Sequence, residues 1–279
     1  MLCVQGEGVQ LTGKSRSDTP DDLVIDAGPG TLFVHDALIK PSGNLKLKGN
    51  QVDLSGPIAV KGGSLVVDSE TSLFVNTIES LSSAEGEQGV LIASESLVLP
   101  SSTFDAEGTQ RLIARKMVCR AITKSQGSLI LRSGDIAITE AITVFDGSLH
   151  VQPPPATLPT SRFELGDKLI VSDEIRIGSA LLLFVGLTDQ ELSGSDVHMT
   201  GSKIEKDEGS LTINAGDTLT VAANITCREG ILAAQAEFMS FEGNILTGSG
   251  VTLEGNTAKL SGMGPQVGLV SALYMFTPT

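Results

Sequence analysis

Gly209-Ser-Leu-Thr-Ile-Asn-Ala-Gly-Asp-Thr-Leu-Thr-Val-Ala-Ala-Asn-Ile-Thr-Cys227 packs three short alternating runs into one stretch: Leu211-Thr-Ile213, Leu219-Thr-Val221 and Ile225-Thr-Cys227. Alternation with a period of two puts the apolar residues of each run on one side of an extended strand. Gly, Asn and Asp separate the runs, and these residues turn a chain at low cost. A second stretch repeats the plan. After Gly127-Ser-Leu129-Ile-Leu131 come Ile136-Ala-Ile138 and Ile142-Thr-Val144.

The opening phrase, Gly-x-Leu-x-aliphatic, recurs at Gly43, Gly63 and Gly147, with weaker copies at Gly30, Gly89, Gly108, Gly230 and Gly250. Starts from Gly89 fall at Gly108, Gly127 and Gly147, and starts from Gly209 fall at Gly230 and Gly250, so the interval stays near twenty residues. A steady interval of that length is the signature of a repeat architecture. Helical spacing is nowhere sustained. An antiparallel sandwich would use strands of about five or six residues with turns every 8–12; these runs are shorter and return as the same triplet. The pattern predicts an all-β fold, a single-stranded parallel β-solenoid with three short strands per coil of about 19–21 residues. Like residues then stack about 4.8 Å apart in interior rows, and right-handed winding is expected from the general preference of parallel crossovers. One domain over residues 1–279 is expected, with corner insertions near 79–88, 152–162 and 186–208. The second of these carries Pro153-Pro154-Pro155 and Pro159.

Gly209 to Thr226, like Gly127 to Val144, resembles the coils of filamentous-haemagglutinin-type bacterial proteins. The resemblance implies a right-handed parallel β-helix and a role as an exported adhesin or stalk. Bactofilins, β-helical filament formers of the cytoplasm, are similar in architecture and imply end-to-end assembly instead.

Composition agrees with a narrow aliphatic interior. Hydrophobic residues make up 41% of 279, yet aromatics are only 4%, with no Trp and one Tyr. A formal charge of −14 disfavours non-specific binding to nucleic acid or to an anionic membrane. No apolar run approaches transmembrane length. Cys3, Cys119 and Cys227 lie far apart with no C-x-x-C pair, which predicts neither a disulfide framework nor a zinc site. The amino-terminal residues show no basic and apolar leader pattern, so the expectation is a cytoplasmic chain or a processed form or fragment of an exported one.

His35, His150 and His198 are separated in sequence, so spacing alone suggests no triad and no metal pair, and they read as surface residues. Asp135 and Asp217 both follow Gly, and a turn explains them without carbohydrate-cleaving chemistry. No catalytic residue, metal ligand or cofactor is expected. The most specific local feature is a basic run, Arg111, Arg115, Lys116, Arg120, Lys124 and Arg132, with no acid between Arg111 and Arg132. Aligning Leu112 with Leu129 would set Arg115 one coil from Arg132 and make a strip for an anionic partner, an acidic glycan or an acidic protein surface. Acids in adjoining segments, including Asp105, Glu107, Asp135 and Glu140, would neutralise it. Protein partners, or self-association through solenoid ends, complete the expectation, because open sheet edges invite further pairing.

Overall fold

The computed structural model describes residues 2–13, 15–18, 20–54, 58–60, 65–69, 71–74, 91–104, 109–154, 160–261, 266–267 and 272–276. Among them the protein is all-β, with no α-helix, and its strands stack as a parallel β-solenoid. It falls into two compact units, Met1–Ile136 and Ala137–Thr279.

In the first unit one coil runs through Leu23–Asp26, Thr31–Val34 and Leu38–Lys40, and these three strands lie on three successive faces. Each pairs in parallel with its equivalent one coil on: Leu23 with Leu45, Leu32 with Val52, Leu38 with Ile58. Because the register preserves the side-chain alternation, aliphatic residues meet aliphatic residues. Leu23, Leu45, Leu65, Leu97 and Met117 make one interior column on the first face, and all five are buried. Leu112 and Leu131, paired in register and buried, belong to another on the third. Charged residues also line outward positions. Lys48 stands in register with Asp26 and binds its carboxylate at 2.8 Å.

The second unit repeats the scheme. Leu211–Glu229 bends around all three faces in one long strand, and Leu211, Leu219 and Ile225 pair with Leu232, Met239 and Ile245. Ala272–Phe276, in the apolar closing stretch, pairs with Gly250–Gly255 as another rung of the second face.

Register locates the extra residues. Leu65 pairs with Leu97 and Thr71 with Ser101, intervals of 32 and 30 that hold the expected insertion near 79–88, itself outside the described residues. Ile142 pairs with Leu169, an interval of 27 that absorbs residues 152–162. The expected insertion at 186–208 is corrected. Gln190–Glu208 is a full coil, with Leu192, Val197, Met199 and Ile204 pointing inward. Two polar residues in interior positions, Gln190 and Lys206, interrupt its apolar rhythm.

Corners explain the recurring glycine. Gly43, Gly127 and Gly209 have φ of 77°, 78° and 76°, a backbone state that L side chains rarely adopt. Each lies three residues after a fully buried lysine: Lys40-Pro-Ser-Gly43, Lys124-Ser-Gln-Gly127 and Lys206-Asp-Glu-Gly209. The ammonium groups of Lys40 and Lys124 donate to the carbonyls of Ser42 and Gln126, and that of Lys206 to Gly186 of the coil below. Lys-x-x-Gly-x-Leu is therefore a corner staple, in which a buried cation binds carbonyls that the tight turn aims inward. Burial lowers the pKa of Lys206. A polar residue one coil earlier also caps corners: the Asn44 and Ser210 amides donate to Asp22 and Asp189 at 2.9 and 2.7 Å.

Cys119 and Cys227 occupy interior columns, and burial pushes both thiols up to about 12. They stay protonated and shielded near neutrality, where thiolate is the reactive form. A Cys3→Ser variant is expected to take up no aromatic disulfide reagent while native at pH 8 and to label at both remaining cysteines once unfolded. The unfolded thiols ionise near 9 while the native ones hold their protons, so their stabilisation is intact below pH 9 and declines from 9 toward 12.

Candidate functional site

The basic run divides once the register is known. Lys124 is wholly buried, so it is a corner staple and no part of a surface strip. Leu112 pairs with Leu131, and Arg132 stands beside Ile113, so the expected alignment of Arg115 with Arg132 is off by two residues. Arg115 sits instead at the bend next to Ser133, whose hydroxyl donates to the Arg115 carbonyl at 3.0 Å. Lys116 turns onto the first face and meets Asp135 at 3.8 Å, one of the acids expected to offset it. Arg120 lies exposed at the following corner. What remains together is Arg111 and Arg132 on the outer third face. They are diagonal across adjacent strands, because Arg111 pairs with Ile130 and Ile113 with Arg132.

A tighter assembly lies on the third face of the second unit, where three charged or ionisable side chains fall in one column. His150 pairs with Arg176, and Arg176 with His198. Beside them Glu174 pairs with Asp196. The parallel ladder thus gathers residues that the chain holds a coil apart. The Glu174 carboxylate is the hub: Arg176 Nη2 lies 2.6 Å from one oxygen, His198 Nε2 3.6 Å from the same oxygen, and His150 Nε2 3.4 Å from the other. The hydrogen bond from Arg176 holds the Glu174 pKa below its ordinary value, against the opposing effect of partial burial. Arg176 is raised in return by the same contact.

Sequence spacing hides this cluster, because His150 and His198 are two coils apart and only the register brings them to one carboxylate. Its chemistry is that of a polar surface centred on one carboxylate, which Arg176 and the two histidines approach. The arginine occupies the carboxylate and would repel a divalent cation. Among the described residues no group of three His, Cys, Asp or Glu side chains is arranged to hold a metal ion. Nor is any helix there long and apolar enough to cross a membrane. His35 is a separate case in the first unit, stacked on Phe33 with ring centroids 6.0 Å apart and linked to Gln10 at 2.8 Å.

Glu174→Gln is expected to give a pH-dependent loss of stability. A depressed carboxyl stabilises the fold above its unfolded value, and that contribution fades as pH falls through the native one. The variant is expected to be less stable by about 1 kcal/mol or less at pH 7, as for a partly exposed ion pair, and to match the parent in acid. Denaturant titrations at several pH values check this.

No protein-family model matches the chain, and no curated protein or solved structure shows significant similarity to it.

Proposed function

We propose that this chain is a structural β-solenoid of the adhesin or fibre kind, whose outer faces serve binding or assembly and whose residues carry out no catalytic step. The observation that supports this reading most is the Glu174 cluster. The third face presents His150, Arg176 and His198 one rung apart around the Glu174 carboxylate that each approaches, with Asp196 in register beside Glu174. Such pre-organised polar columns cost little further ordering when a partner docks. In the first unit Arg111 and Arg132, with the flanking Ile113 and Ile130, provide a face suited to an acidic glycan or an acidic protein surface.

Assembly through coil edges is the second reading, and two side chains favour it. Val4 and Leu260 occupy inward positions, in register with buried Ile25 and Phe241, yet each is 41% exposed. A further coil, contributed by a second copy, would cover such residues and continue the ladder.

Heparin-agarose chromatography and sedimentation velocity over a concentration series test the proposal on the full chain. Retention on heparin is expected, and Arg111→Glu with Arg132→Glu should abolish it while leaving the melting temperature unchanged. Concentration-dependent association would support the edge reading. A chain that is retained by nothing, stays monodisperse, and releases sugars from a polysaccharide panel would overturn the proposal.

A further inference from the structure

At the corner between the second and third faces of the second unit, the chain forms a groove of about 380 Å³. Its floor has almost no side chains, being made by Gly216, Ala236 and Gly255. Gly255 is required there, since a Cβ would lie 2.8 Å from the Met239 methyl group and closer still to the Ala236 carbonyl oxygen. Two walls rise on either side. Gln235 and Glu254, partners in register, form the one at the end of the second face. Glu237 and Asn256 form the other, and the Asn256 amide donates to the Glu237 carbonyl at 3.1 Å. Each wall therefore offers one carboxamide and one carboxylate, a single rung of about 4.8 Å apart.

We infer that this groove binds a neutral oligosaccharide lying along the stack of coils. It is concave and small-floored with a few polar side chains on its rims, as ligand sites are. A sugar hydroxyl both donates and accepts, and a paired carboxamide and carboxylate supply both complements. A bare cation would make no use of the Gln235 amide donors, and an anion would meet Glu237 and Glu254. The floor, lacking long side chains, lets a pyranose ring lie with its C–H face against the backbone. The inference deepens the surface-binding reading above by naming a ligand class, and it rests on that reading.

Saturation-transfer NMR and calorimetry on the full chain, with cellotetraose, maltotetraose and mannotetraose as probes and spermidine as the cationic control, test it. At least one neutral tetrasaccharide is expected to bind. Gln235→Ala with Asn256→Ala should weaken it about tenfold, the loss of two neutral hydrogen bonds. Glu237→Gln with Glu254→Gln should weaken it only about threefold or less, because the amide still hydrogen-bonds. All four positions are exposed, and unchanged melting temperatures confirm that the variants fold. Binding by none of the sugars, sugar binding indifferent to the alanine pair, or binding of spermidine alone that disappears with the glutamine pair would each overturn the inference. If the groove fails while heparin is still held through Arg111 and Arg132, the ligand class falls and the surface-binding reading stands.

Discussion

Leu45→Asp is expected to abolish cooperative thermal unfolding of the chain as followed by far-ultraviolet circular dichroism. Leu45 is 0% exposed and stands between Leu23 and Leu65 in a continuous apolar column. A carboxylate there has no cation in its column, and burying an uncompensated charge costs several kcal/mol even after relaxation. That rivals the whole stability of an ordinary domain, about 5–15 kcal/mol. The damage also spreads, because each coil of a solenoid is stabilised chiefly by its immediate neighbours. Leu45→Ala should melt cooperatively at lower temperature, with a loss of about 2–5 kcal/mol from lost burial and the residual cavity. The next residue is the control. Lys46 faces outward and reaches Asp68 at 2.7 Å, so Lys46→Ala should cost about 1 kcal/mol or less.

Gly209→Ala is expected to destabilise the chain by about 2–4 kcal/mol, a large effect for a half-buried corner residue. Two costs add. The backbone at φ 76° charges any L side chain about 1–2 kcal/mol, and the new Cβ would lie 2.7 Å from the carbonyl carbon and oxygen of Thr188 in the coil below. Neither can yield as the end of a flexible side chain would, since both are main-chain atoms. Gly216→Ala is the matched comparison. Its Cβ would make ordinary contact, 3.5 Å from the Ser195 Cα, and its φ is not in the left-handed region. That change should be neutral or stabilise by up to about 1 kcal/mol through the unfolded chain. Denaturant titrations of the two variants side by side separate a corner that demands glycine from one that merely contains it.

The period of the coil was legible because interior columns repeat their aliphatic residues at near-constant spacing. The phase was not. Gly43 opens a strand of the first face, Gly209 one of the second and Gly127 one of the third, so Gly-x-Leu marks any corner and not one fixed corner. The reason is local: a glycine at positive φ can turn the chain into any of the three faces, and the strand after it begins with an inward aliphatic side chain. The same ambiguity misplaced Arg132 against Arg115 by two residues. Residues 186–208 looked like a polar excursion because Gln190 and Lys206 sit where leucine would have announced the coil. Gln190 holds its interior place by donating to the Leu165 and Asp167 carbonyls, and no periodicity argument sees such a bond. Lys-x-x-Gly-x-Leu could have been noticed three times in the chain, and it would have withdrawn Lys124 from the basic strip in advance. The Glu174 cluster needed register itself, since His150, Arg176 and His198 become neighbours only when coils are laid one upon another.

Nitroxide labels on the second face measure that stacking directly. Thr212 pairs with Ala233 and Ala233 with Thr252, all at outward positions. Labels introduced as cysteine pairs in a background lacking the native thiols should show strong spin exchange for positions 212 and 233, one rung apart. For positions 212 and 252, two rungs apart, they should show dipolar coupling at about 10 Å. Absence of exchange between 212 and 233, or a second separation no longer than the first, would contradict parallel coils in this register.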